Sequence, residues 1–144
     1  MMVQDAVFGA MEYKHNWYKQ EMLSLWGKNW NIWVAAKAYS AKPITDAQRE
    51  SYLRFQSQRK NEEQIITEKC IEYINSNCAD LAANWLSARM VNSDKELAQI
   101  LTPTTLFIKQ NGRTILLFDC PWDEHGIGVE LFPQIQIGSQ DLFL

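Results

Sequence analysis

The stretch Trp30-Asn31-Ile32-Trp33-Val34-Ala35-Ala36-Lys37-Ala38-Tyr39 carries an apolar residue at every even position. A period of two sets one row of side chains on a common side of an extended chain, so this segment predicts a strand with one face on a core. The aromatic-rich run Trp17 to Trp26 precedes it across Gly27-Lys28-Asn29, and the two read as an antiparallel hairpin. The period then changes. Tyr52, Phe55, Ile66, Cys70, Tyr73 and Ile74 recur at three- and four-residue spacings with Arg and Glu between them, which predicts amphipathic helices. Thr45-Asp46-Ala47-Gln48, after Pro43, and Ser93-Asp94-Lys95-Glu96 are capping boxes that open such helices. Asn75-Ser76-Asn77 predicts a break, and Leu81, Trp85 and Ala88, with Leu86 and Met90, predict a further helix. Pro103 is expected to stop a short last one. Period two then returns in Leu106–Lys109 and Thr114–Phe118, on either side of Asn111-Gly112, a pair that favours a type I′ turn. Two short strands are expected near 128–132 and 134–137.

Strands, then three or four helices, then strands is the α+β order, with a mostly antiparallel sheet and a central helical block packed on one face. The 144 residues, 47% hydrophobic, suffice for a single domain, 1–144. Six glycines and four prolines are too few for wholesale disorder. No apolar run approaches the roughly 18 residues of a membrane span. The first residues lack the basic and apolar regions of a signal peptide, and three cysteines without a CxxC pair suit reduced thiols. A cytoplasmic location is therefore expected.

The formal net charge is −3, and its distribution is uneven. Residues 102–144 hold two basic and five acidic side chains, so the whole deficit lies in the C-terminal third. That weighs against a duplex-DNA binder, which carries a basic face, and suits attraction of a basic partner.

Within that third, Cys120-Pro121-Trp122-Asp123-Glu124-His125-Gly126-Ile127-Gly128 is the densest polar cluster. A metal site needs three or four convergent ligands, and consecutive residues of an extended chain point to opposite sides. A hydrolytic site would use Cys120 as nucleophile, His125 as base and Asp123 as its orienting carboxylate, yet such thiols usually take their histidine from a distant segment. The simplest expectation is a turn in which the acids cap backbone donors and Gly126 and Gly128 supply unusual φ angles. Elsewhere, six tryptophans stand out. Trp17, Trp26, Trp30 and Trp33 interleave with Lys14, Lys19, Lys28 and Lys37, a mixture able to stack single-stranded bases. Trp30 shares the apolar even row, however, and only Trp33, Lys37 and Tyr39 share the other. Nucleic acid is thus the lesser expectation.

The segment from Cys120 to Val129, followed by Ile137-Gly138-Ser139-Gln140-Asp141, resembles a family of small uncharacterised bacterial domains with a Trp-Asp-Glu-Glu-His-Gly turn and a closing Gly-x-Gln-Asp. Phe8-Gly9, the Trp17–Tyr39 hairpin and the Thr45–Phe55 helix start extend the resemblance. This chain departs in having one Glu between Asp123 and His125. Some proteins of similar organisation are immunity proteins encoded beside bacterial toxins, so the resemblance implies a non-enzymatic protein that binds a basic toxin domain. No catalytic residue, cofactor or metal comes with it. The expected partner-binding residues are the acids and histidine of the C-terminal third, taken as exposed: Asp123, Glu124, His125, Glu130 and Asp141. A small hydrolase or metal-dependent enzyme using Cys120 and His125, or single-strand binding through the aromatic hairpin, are the alternatives.

Overall fold

Two runs of ten residues, Asn16–Leu25 (β3) and Lys28–Lys37 (β4), form the longest hairpin of the structure, a computed structural model describing residues 1–144. Its loop is Trp26-Gly27, one residue earlier than the sequence suggested, and both residues have positive φ (55° and 73°). That backbone matches the twist of the flanking strands. A tryptophan is an unusual occupant, and tertiary contacts hold it there. Its indole Nε1 donates to Thr67 Oγ1 at 3.0 Å, and its ring stacks on Phe118.

The remaining strands are Met2–Asp5 (β1), Gly9–Lys14 (β2), Thr102–Ile108 (β5), Thr114–Cys120 (β6), Asp123–Phe132 (β7) and Gln136–Ser139 (β8). All eight join one sheet in chain order, and every neighbouring pair is antiparallel except β4 and β5. A parallel pair cannot be closed by a tight turn, so the chain must travel back along the sheet between them. Residues 38–101 make that return and contain Asp46–Ser57 (α1), Arg59–Leu81 (α2) and Asp94–Ile100 (α3). The single parallel pairing explains why the helices lie mid-chain. The fold is α+β.

The capping box at Thr45 forms as expected: Gln48 N donates to Thr45 Oγ1, and the Gln48 side chain accepts from Thr45 N. Gln48 goes further and donates to the carbonyls of Lys37 and Ile108, tying α1 to the ends of β4 and β5. Two helical expectations need correction. Asn75 does not end a helix, for α2 runs on to Leu81. The Asn75 amide instead donates to Val91 O and accepts from Val91 N, at 2.7 and 2.8 Å. The segment predicted as a helix around Trp85 is irregular between Ala82 and Asn92. It is held by that clamp and by Trp85 packing on Trp122.

The alternation in β4 divides the side chains between two clusters. Ile32, Val34, Ala36 and Ala38 join the large core with Tyr52, Phe55, Ile66, Cys70 and Ile74 from the helices and Leu106, Leu116 and Phe118 from later strands. Ala35 instead joins Phe107, Ile115, Leu117 and Phe143 in a second, small cluster on the other side of the strands. Phe143 follows a single 3-10 turn, Gln140–Leu142, that brings the C-terminal residues onto this side. The Asn111-Gly112 hairpin also differs from expectation. Only Gly112 has positive φ, and Lys109 N donates to Arg113 O, so the loop has three residues rather than a type I′ pair. No helix is long and apolar enough to cross a membrane.

Candidate functional site

The sequence Asp123-Glu124-His125-Gly126 opens β7 as a bulge. Cys120 pairs with Asp123, but Phe118 pairs with Ile127, so β7 carries two residues more than β6 over this stretch. The surplus pushes Glu124 and His125 out of the ladder. Gly126 makes the bulge possible, because it has φ +82° and a Cβ there would lie 2.1 Å from Phe118 O. Gly128, expected to serve the same purpose, has an ordinary φ. Its requirement is space, since a Cβ would meet the Phe143 ring at 2.7 Å.

Four of the five predicted partner-binding residues come together here. Asp123 Oδ1 accepts from His125 N at 2.9 Å, while Ser139 Oγ donates to Asp123 Oδ2 at 3.4 Å. His125 Nδ1 meets Asp141 Oδ2 at 3.3 Å, and Nε2 lies 3.7 Å from Glu124 Oε1. Asp141, hydrogen-bonded to the imidazole, holds the His125 pKa above the usual histidine range. Glu124 and Asp141 have no lysine or arginine within ion-pair distance, and both side chains are largely solvent-exposed. The result is an acidic corner with one histidine at its centre.

The fifth residue does not belong there. Glu130 was expected to be exposed; it is 1% exposed, and Arg113 grips it through Nη2 at 2.7 Å and Nε at 3.2 Å. Strand alternation places it on the Ala35–Phe107 side, where the Arg113 fork satisfies its oxygens.

The thiol–imidazole pair of a hydrolytic site is not assembled. The Cys120 thiol donates to Asp123 O at 3.6 Å, and burial pushes its pKa up, which favours the unreactive thiol. Both His125 ring nitrogens face carboxylates instead. No three His, Cys, Asp or Glu side chains gather closely enough to hold a metal ion.

A second feature was only half legible. On the face bearing Ala35 and Phe107 lies a groove of about 950 Å³, floored by Tyr18, Trp33, Ala35 and Phe107 and rimmed by Lys37 and Gln140. Trp17, Trp26, Trp85 and Trp122 are buried and Trp30 is half-buried, whereas Trp33 is 44% exposed. Lys19 is consumed elsewhere, donating to Phe8 O and Tyr52 Oη. Of the interleaved aromatics and lysines, then, Trp33, Lys14 and Lys37 remain on the groove lining. The sequence pointed to Trp33 and Lys37 by parity. The floor supplied by Phe107, from a strand seventy residues later, had no sequence signal.

The domain of unknown function described as DUF6985 matches residues 7–144. No curated protein and no solved structure matches the chain. The chain belongs to the DUF6985 family.

Proposed function

We propose that this DUF6985 chain is a non-enzymatic cytoplasmic binding protein of the immunity type, which neutralises a basic bacterial toxin domain by direct contact at the acidic corner. The observation that carries this reading is the exposure of Glu124 and Asp141 with no lysine or arginine within ion-pair distance, so that the single His125 between them leaves the corner net acidic. A net surface charge of this kind steers an oppositely charged partner and raises its association rate. The missing contact between Cys120 and His125 favours binding over hydrolysis, and three unpaired cysteines suit a reducing compartment. In this reading the helices back one face of the sheet, while the corner and the C-terminal turn meet the partner. Asp123 orders the bulge through the His125 amide; Glu124 and Asp141 contact the toxin.

The test is co-expression with a toxin domain encoded beside the gene, scored by growth. The wild-type protein should rescue growth. The Glu124→Lys, Asp141→Lys double variant should lose rescue while keeping its melting temperature, since both side chains are exposed. Equal rescue by the double variant would remove the corner from the interface. No rescue by the wild type would remove the immunity function.

A further inference from the structure

The Trp33 groove differs in charge from the rest of the molecule. Lys14 and Lys37 line one end of it, and Lys109 and Arg113 lie nearby in the loop between β5 and β6. Asn16, next to Lys14 in the β2–β3 ladder, pairs with Lys37, and Ile108, the residue before Lys109, pairs with Ala36. The carboxylates among them are Glu12 and Glu130. Glu12 lies 3.7 Å from Lys14, and Glu130 is fully engaged by Arg113. Lys37 has no carboxylate within ion-pair distance, and its ammonium rests over the Tyr39 and Phe107 rings. Lys109 is held below the usual lysine pKa, first by burial and then by Arg113 and Lys37. A surplus of cations thus collects at one end of the groove, although the chain as a whole is acidic.

Next to the cations lies an ordered aromatic wall. Tyr18 meets Trp33 edge-on, at 5.9 Å and 78°, which fixes the half-exposed indole. Trp33 and Lys37 are four residues apart on one side of β4, about 14 Å along the strand. Between them Ala35 contributes only a methyl group, so the floor is open from ring to ammonium.

We infer that this groove binds a small aromatic anion, a flat ring carrying a phosphate or carboxylate, with the ring against Trp33 and the anionic group at Lys37. The volume suits a small-molecule site, and the lining pairs apolar surface with a few polar groups. A nucleic-acid strand would need successive stacking rings and cations tracking the whole groove. Here one tryptophan is exposed and the cations sit at one end. The site does not depend on the acidic corner, and Glu124→Lys, Asp141→Lys protein should bind the ligand unchanged.

The probe is adenosine 5′-monophosphate, titrated by calorimetry and by amide NMR shifts. Saturable binding is expected at roughly millimolar or tighter affinity, with shifts centred on the groove lining in β2 to β5 and at Gln140. Adenosine alone and inorganic phosphate alone should each bind at least about tenfold more weakly. Trp33→Ala and Lys37→Gln, both at accessible positions, should each weaken binding by a similar factor without lowering the melting temperature. No saturation would overturn the proposal, as would affinity indifferent to both substitutions. Tighter binding of oligothymidylate than of the mononucleotide would overturn it too, by assigning the groove to a strand.

Discussion

Glu130 illustrates what decides the role of a single charged side chain. A carboxylate at 1% exposure is tolerated only with its oxygens satisfied, and the two-pronged contact from Arg113 does this. Replacing one oxygen of that pair removes the charge and leaves a partly exposed Arg113 facing a buried neutral amide. Glu130→Gln is therefore expected to lower stability by about 1–3 kcal/mol in urea unfolding. A variant as stable as wild type would show the Arg113 contact to be dispensable. Asp5 follows the same logic at the other end of the sheet. Burial would raise its pKa, but Arg49 and the Phe8 and Val7 amides together hold it below the usual aspartate value. Glu124 and Asp141 lack such partners, and that separates a surface charge available to a partner from one spent on the fold.

Among the elements, β7 and the C-terminal turn form one unit. The bulge at its start presents the acidic corner, and Gly128 in its middle leaves the hollow into which Phe143 settles. A methyl group at Gly128 would lie 2.7 Å from Phe143 Cδ2 and 3.0 Å from Ile115 Cγ2. Phe143 must then leave its seat, taking the 3-10 turn and Asp141 with it. Gly128→Ala should cost about 1–3 kcal/mol and expose the last residues to carboxypeptidase, which the folded wild type should resist. An unchanged digestion rate would mean that Phe143 does not anchor the turn. A similar coupling joins α2 to the irregular segment after it, since one side chain, Asn75, satisfies both backbone groups of Val91.

At the scale of the molecule, the helical return between β4 and β5 docks on the sheet with one electrostatic flaw. Glu62 on α2 is 7% exposed, and its Oε1 has no hydrogen-bond partner. It lies beside a small cavity of about 50 Å³ lined also by Arg54, Thr114 and Phe132, where α1 and α2 meet β6 and β7. Burial pushes its pKa up to about 7 from 4.5, only partly opposed by Arg59 and Arg54. The folded state therefore holds this proton more tightly than the unfolded chain does. Stability is lost as pH rises from about 4.5 through 7, and above that the full penalty remains. Glu62→Gln should match wild type near pH 4 and exceed it by up to roughly 3 kcal/mol above pH 8, read from urea unfolding at a series of pH values. A constant difference across that range would place the charge in contact with water.

The sequence by itself determined what local physics can specify. The alternation in Trp30–Tyr39 set which side chains of β4 join the core, the capping box at Thr45 set where α1 begins, and the order of the two periods set α+β. It also placed Asp123, Glu124, His125 and Asp141 in one region of the chain. Only the tertiary structure decided that β4 and β5 run parallel, that Asn75 clamps Val91 rather than ending a helix, and that Glu130 faces Arg113 while Glu124 faces water. Each of these outcomes depends on a partner distant in sequence, and a side chain's own type does not encode the neighbour it will meet. The groove is the clearest case. Trp33 and Lys37 share a side by strand parity alone, but Phe107 and the C-terminal turn reach it only because the sheet closes one strand against another across the helical return.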